Sequence, residues 1–119
     1  MSPADRSGAG DTRAFAPVFA ALGDETRLTL LSRLGAGSPL SITRLTRGSR
    51  LTRQAVTKHL RVMQRAGLVR GVRRGRERLF ELRPEPLHAA QQAMLNIARQ
   101  WEMALARLKE LVESPDPGV

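Results

Sequence analysis

The clearest pattern of apolar and polar positions lies in residues 51–68, with the sequence LTRQAVTKHLRVMQRAGL. Its apolar residues recur three and four positions apart, as on one face of a helix, while the opposite face is polar and mostly basic. Thr52 is a favourable N-cap, and Gly67 stands where a left-handed residue ends many helices. The pattern predicts a capped helix that packs through Val56, Leu60 and Met63 and exposes its basic side.

The same features recur just upstream, where Ser41 is an N-cap flanked by the apolar pair Leu40 and Leu45. A short basic link over residues 47–50 contains Gly48 and joins the two predicted helices. Two short capped helices across a glycine-containing turn are typical of a helix-turn-helix.

A basic turn follows, where two short strand-like runs flank residues 73–76. This arrangement predicts a β-hairpin, or wing, with Gly75 at a basic tip. Val69 and Val72 do not share one face of a regular strand, so we expect a bulge near Gly71.

Helices are predicted on both sides of this unit. An upstream pair covers residues 15–22 and 24–34, with Thr26 and Arg27 on the outside of the second helix. A last helix runs from Pro86 to about Val112, with apolar residues at seven-residue spacing. This stripe would be exposed on a monomer, so we expect a dimer interface made by Leu87, Met94, Ile97, Trp101, Leu108 and Leu111. Trp101 is interpreted as dimer packing, and the alternative is a pocket for an unidentified small-molecule effector.

The fold class is therefore mainly α with a small β-hairpin, a winged helix-turn-helix with a long C-terminal dimerisation helix. We expect one domain over residues 15–113, between a disordered N-terminal tail (1–14) and a C-terminal tail (114–119). The N-terminus lacks the apolar core of a signal peptide and no run is long enough to span a membrane, so the expected location is cytoplasmic. The chain has no cysteine, which excludes disulfides and thiolate metal sites.

Charge indicates the class of partner. The net charge is +9, and the stretch from Arg44 to Arg83 holds thirteen Lys or Arg against two Glu, a local charge of +11. A basic surface on a helix-turn-helix favours double-stranded DNA, and RNA is disfavoured because only 3% of the residues are aromatic. An architectural or nonspecific nucleic-acid-binding protein is the alternative. With two distant histidines and no Gly-rich phosphate loop, the chain is expected to be neither an enzyme nor a cofactor-binding protein.

Three sequence blocks, FAALGDETRLTLLSRL, AVTKHLRVMQRAGLV and RRGRERLFEL, occur in this order within residues 15–112. They resemble the ArsR/SmtB-type winged-helix repressors, and the end of the last helix is similar to the non-metal-sensing branch. The resemblance implies a homodimeric, cytoplasmic transcription regulator, and repression at an inverted-repeat operator is the favoured mode. The metal ligands of that family's sensors are missing, because residues 41–46 read SITRLT and His88 has only Glu85 nearby. We therefore expect no metal site.

The resemblance also places the recognition helix, which starts at the Thr52 N-cap. Its first turns would present Arg53, Gln54 and Thr57 to base edges in the major groove. Phosphate contacts are expected from Thr52, Lys58, His59 and Arg61. The wing residues Arg73, Arg74, Arg76 and Arg78 are expected to follow the phosphate backbone or to enter an adjacent minor groove, and a solvated turn is the alternative. His59 borders the apolar stripe, so packing is the alternative to a phosphate contact.

Overall fold

The computed structural model describes residues 8–113. A 3-10 helix (Gly8–Phe15) precedes α1 (Ala16–Leu22), α2 (Glu25–Leu34), β1 (Leu40–Ser41), α3 (Ile42–Thr46), α4 (Arg53–Arg65), β2 (Val69–Arg74), β3 (Glu77–Leu82) and α5 (Pro84–Glu113). The 3-10 helix covers residues for which the sequence predicts a disordered tail. The rest of that predicted tail and the predicted C-terminal tail lie outside the described residues.

The chain divides into two compact units, of which the larger comprises residues 13–90 and the other includes α5 from residue 91 onward. The larger unit has one hydrophobic core, to which every helix and the sheet contribute. Its buried side chains include Leu30, Leu34, Leu45, Val56, Leu60, Met63, Leu68, Val69, Phe80 and Ala90. The predicted apolar stripe of α4 is therefore confirmed, and its burial leaves the basic side of α4 facing outward.

Local capping sets the ends of the helices as the sequence predicts. The side chains of Ser41 and Thr52 accept hydrogen bonds from the amides of Arg44 and Ala55, both at 3.1 Å. At the other end of α4, Gly67 has φ 79°, and the Leu68 amide donates to the Met63 carbonyl at 2.9 Å. The left-handed residue predicted at Gly67 is therefore confirmed. It belongs to a Schellman motif, which turns the chain from α4 into β2.

The sheet differs from the predicted hairpin in having a third strand. It is antiparallel with strand order β1-β3-β2, and Leu40 and Ser41 of β1 pair with Phe80 and Leu79. The sequence did not indicate β1, because two residues are too few to show an alternating pattern. The extra strand fixes the start of α3 against the wing.

The predicted bulge near Gly71 is wrong, because β2 and β3 pair residue for residue from Val69–Leu82 to Arg74–Glu77. Val69 is buried in the core, whereas Val72 lies on the other face of the sheet opposite Leu79. Two apolar positions on opposite faces therefore need no extra residue. Gly75 has φ 61° at the first position of the two-residue turn, as in a type II′ hairpin.

Candidate nucleic-acid interface

The exposed side of α4 brings together five of the residues predicted to contact DNA. A shallow groove of about 520 Å³ is lined by Arg53, Gln54, Thr57, Lys58 and Arg61. These side chains come together because they occupy the helix face opposite the buried stripe. The groove combines amide and hydroxyl groups near the helix start with cations further along, so it can accept both base edges and phosphates.

Two of the predicted base-reading residues are already fixed by hydrogen bonds. Arg53 Nη1 donates to the Thr43 hydroxyl oxygen at 2.7 Å, which connects the start of α4 to α3. The Thr57 hydroxyl donates to the Arg53 carbonyl at 2.8 Å and keeps its acceptor capacity. Thr52 is exposed and serves as the N-cap, so its hydroxyl proton is available to an incoming acceptor.

A second groove, of about 500 Å³, lies between α3, the start of α4 and the wing. It is lined by Ser41, Ile42, Thr43, Arg44, Arg47, Arg53, Glu77 and Arg78. Sequence reasoning did not assign Arg44 and Arg47 to the site, although cations on and just after the first helix of the pair were the available signal. The two arginines extend the basic surface of α4 onto α3.

Arg33 holds α3 in place. Its two terminal nitrogens donate to the carbonyls of Leu45 at 2.7 Å and Arg44 at 2.8 Å. These carbonyls lie in the last turn of α3, where an approaching cation is favourable. The contact fixes the short helix against α2 and so determines where Thr43 and Arg44 stand.

The four wing arginines are not equivalent. Arg73, Arg74 and Arg76 are exposed at the hairpin tip. Arg78 lies across the sheet, with its guanidinium carbon 5.4 Å from the centre of the Phe80 ring. A Cβ on Gly71 would lie 3.4 Å from Arg78 Nε, so the absence of a side chain there leaves room for the arginine. Arg78 therefore borders the groove beside α3 rather than the hairpin tip.

His59 and Arg27 form a polar contact on the opposite flank of α4. Arg27 Nη1 lies 3.3 Å from His59 Nδ1, which is the acceptor because a guanidinium only donates. The side chain of Arg27 is 17% exposed, so the expectation that it lies on the outside of the second helix is wrong. The sequence shows a cation at a polar position of α2 and gives no sign of this distant partner. The phosphate contact of His59 stays a prediction.

The Arg27 contact belongs to a larger network that includes the N-cap of α2. Asp24 accepts from the Arg27 amide at 3.0 Å, and this hydrogen bond is the main cause of a lowered pKa for the Asp24 carboxyl. The nearby positive charge of Arg27 lowers that pKa further. Arg27 also donates to the carbonyls of Ala20 and Ala21, so the network joins α1 and α2 to α4.

Most of the residues predicted for the dimer interface are exposed in the chain. Met94, Ile97, Trp101, Leu108 and Leu111 are between 49% and 79% exposed. Leu95, Met103, Leu105 and Val112 are exposed on the same helix. Leu87 differs, because it packs against the core of the larger unit. The face of α5 from residue 94 onward is therefore an unusually apolar surface for a helix in solvent.

The positions at which the resemblance implies metal ligands do not suit a metal ion. Helix α3 carries Thr43, Arg44 and Thr46, whose side chains offer hydroxyls and a cation instead of thiolates. Within residues 8–113 no group of three or more His, Cys, Asp or Glu side chains is close enough to hold a metal. Over the same part of the chain, no helix is long and apolar enough to cross a membrane.

Comparison with known proteins gives consistent matches. A family model described as a helix-turn-helix domain matches residues 22–72. The chain is 35% identical over 94 residues to the HTH-type transcriptional regulator Rv2034 of Mycobacterium tuberculosis, covering 79% of this chain and 84% of that protein. It is 40% identical over 76 residues to the uncharacterized HTH-type transcriptional regulator YuzN of Bacillus subtilis, covering 59% of this chain and 83% of that one.

Two solved structures extend the comparison to the fold. An ArsR-like transcriptional regulator from Rhodococcus sp. RHA1 superposes with a TM-score of 0.80 at 36% identity, over 89% of this chain and 99% of that one. The homodimeric winged helix-turn-helix domain of Mb0332 from Mycobacterium bovis has a TM-score of 0.60 at 20% identity, over 97% of this chain and 94% of that one. The second likeness is one of fold alone.

The three-stranded wing, the exposed basic α4 and these matches define a DNA-binding transcription regulator of the winged helix-turn-helix class. Within that class, the chain belongs to the ArsR-like family of transcriptional regulators.

Proposed function

We propose that the protein is a homodimeric, cytoplasmic repressor that reads an inverted-repeat operator through α4. The observation that carries this proposal is the groove that gathers Arg53, Gln54, Thr57, Lys58 and Arg61 on the exposed side of that helix. Such a repressor would act by blocking the access of polymerase to the promoter.

Base reading is assigned to the first turns of α4, where a recognition helix reaches the floor of the major groove. The guanidinium of Arg53 can donate two hydrogen bonds to the two acceptors of guanine, and the amide of Gln54 can form two hydrogen bonds with adenine. Thr57 contributes a hydroxyl or a methyl contact. Lys58 and Arg61 lie further along the exposed face and are assigned to phosphates, together with Thr52, His59 and the wing.

Homodimerisation is assigned to the exposed apolar face of α5. On an ideal helix the residues at positions 94, 97, 101, 104, 105, 108, 111 and 112 form one stripe, which is wider than the seam of a two-helix coiled coil. A stripe of this width suits burial against more than one helix of a second copy. We assign it to burial against α5 and α1 of that copy. The homodimeric state of Mb0332, a protein of the same fold, supports this assignment.

A dimer with one recognition helix per subunit predicts the form of the target. Half-site centres should lie about 10 bp apart, or a multiple of that distance, because both helices must enter the same face of the duplex. The competing function is nonspecific DNA coating, for which the exposed cations alone would suffice.

Selection of bound sequences from a random DNA pool separates these two functions. Wild-type protein should recover an inverted repeat, and Arg53→Ala or Gln54→Ala should lose discrimination at particular base pairs, by roughly 1–3 kcal/mol each. Arg107→Ala, which removes an exposed cation from α5, is the matched control and should recover the wild-type site. If both α4 variants weakened every sequence equally, the assignment of base reading would be wrong.

Sedimentation tests the dimer. Trp101→Glu with Leu108→Glu should give a monomer that no longer binds the operator tightly, because two charges would have to enter the interface. Gln92→Glu with Ala106→Glu adds the same charge on the opposite side of α5 and should leave the dimer intact. A wild-type chain that sediments as a monomer at micromolar concentration would contradict the proposal.

A further inference from the structure

Thr43 has no assigned role in DNA binding, but it contacts a residue that does. It lies on α3 with an exposed side chain, and its hydroxyl oxygen accepts a hydrogen bond from Arg53 Nη1 at 2.7 Å. Arg53 is the first residue of α4 and is itself exposed. An exposed arginine has many rotamers, and a directed hydrogen bond from a neighbouring helix selects among them.

We propose that Thr43 is a specificity-determining residue, which positions Arg53 for base reading and at the same time binds a DNA phosphate. A hydroxyl has two acceptor sites and one proton. While one acceptor site of Thr43 holds Arg53, its proton remains available to donate to a phosphate oxygen. One side chain can therefore couple the docking of the DNA backbone to the orientation of the arginine.

The surroundings of Thr43 suit this double contact. Arg44, Arg47 and Arg78 line the same groove and make it attractive to a phosphate. Glu77 also lines this groove, so we expect Arg53 to turn toward its carboxylate once the threonine hydroxyl is removed. Loss of the hydroxyl should then reorient Arg53 without removing any positive charge from the surface.

This inference rests on the proposed function, in which Arg53 reads a base, and the test keeps the two apart. The operator recovered by selection is compared with variants that carry each base pair replaced, using wild-type protein, Arg53→Ala, Thr43→Val and Thr43→Ser. Valine matches threonine in shape and in helix propensity but has no hydroxyl, whereas serine keeps the hydroxyl. Thr29→Val is the control, because Thr29 is exposed on α2 and its hydroxyl bonds only to its own helix.

Thr43→Val should lower the preference for the base pair read by Arg53 by roughly two- to tenfold, the range for one hydrogen bond. Its affinity for unrelated DNA should fall less, because every cation is retained. Thr43→Ser should restore most of the preference, and Thr29→Val should behave as wild type. In an Arg53→Ala background, Thr43→Val should have no further effect on that base pair.

The inference is overturned, with the proposed function intact, if Arg53→Ala loses the base preference and Thr43→Val keeps it. It also fails if Thr43→Val weakens all sequences alike, which would indicate a phosphate contact without positioning. Both proposals fall together if the wild-type dimer shows no base preference. Circular dichroism of each variant separates these outcomes from loss of the fold.

Discussion

Replacing Arg27 should destabilise the larger unit more than replacing any arginine at the wing tip. Arg27 Nε donates to the Ala21 carbonyl at 2.8 Å and Nη2 donates to the Ala20 carbonyl at 3.2 Å, while Nη1 contacts His59. The guanidinium thus binds the carbonyl end of α1, where a cation is favourable, and joins it to α4. Arg27→Met keeps most of the aliphatic stem and removes every donor.

The size of the effect follows from which acceptors would be left without a partner. The Ala20 carbonyl also accepts from the Gly23 amide, so its loss is partly compensated. The Ala21 carbonyl and His59 Nδ1 lose a charged donor. A hydrogen bond to a charged group contributes about 1.5–3 kcal/mol. Because Arg27 is partly exposed, the contributions of its hydrogen bonds to Ala21 and His59 should lie near the lower end of this range. We expect a loss of about 2–3 kcal/mol, a large part of the roughly 5–15 kcal/mol of a small domain.

Urea unfolding followed by circular dichroism measures this loss. With a slope of about 1–3 kcal/mol per molar urea, the midpoint should fall by roughly 0.7–3 M. All variants must be compared at one protein concentration, because dimerisation contributes to the apparent stability. Arg27→Lys should recover part of the loss, and Arg13→Met, which changes an exposed arginine, should stay within about 0.5 kcal/mol of wild type. An Arg27→Met variant as stable as that control would refute the assigned role.

Three further predictions concern the wing, metal ions and pH. Neutralising Arg74 and Arg76 should reduce the slope of log K for DNA binding against log salt by about one unit for each phosphate that is no longer bound, and should preserve the base preference. An unchanged slope with unchanged affinity in a salt titration would exclude contact of these arginines with DNA. Zinc, arsenite and cadmium at micromolar concentration should not release DNA in gel shifts, and chelator-reversible release would contradict this. The hydrogen bond from the Arg27 amide lowers the pKa of Asp24 in the folded protein. The carboxylate should therefore stabilise the fold fully above about pH 4, where Asp24 is ionised in the unfolded chain as well. This stabilisation should be lost as pH falls through the lower pKa of the folded state. Asp24→Asn keeps an N-cap acceptor, so its urea midpoint should fall less than that of wild type between about pH 5 and pH 3.

Features of the fold that depend on neighbouring residues could be predicted from the sequence. The Thr52 cap and the Gly67 turn involve residues only a few positions apart, and the apolar stripe of α4 repeats at helical spacing. Strand β1 was missed because its partners Leu79 and Phe80 lie about forty positions away and leave no periodic trace. The bulge was predicted because two valines were assumed to share a face.

The candidate site shows the same division between near and distant residues. Helical periodicity alone places Gln54, Lys58 and Arg61 on one exposed face. The contacts of Arg27 with His59 and of Arg53 with Thr43 join residues 32 and 10 positions apart, on different helices. An arginine gives the same sequence signal whether it faces solvent or binds a carbonyl, so only the fold distinguishes the two. The roles of the site residues toward DNA stay predictions.

The fold also changes what the positive charge of the chain implies for DNA binding. Of the thirteen cations between Arg44 and Arg83, Arg70 and Arg83 form ion pairs with Glu81 and Glu85, and Arg78 lies over Phe80. A cation held by a carboxylate must give up that partner before it can bind a phosphate, and only cations that reach phosphates release counterions. The salt dependence of binding should therefore reflect the exposed cations of α3, α4 and the hairpin tip, and fall below the value that the net charge suggests. Since α3 and α4 are held by the contacts of Arg27, Arg33 and Thr43, the number of phosphates bound depends on hydrogen bonds between helices as well as on the basic surface itself.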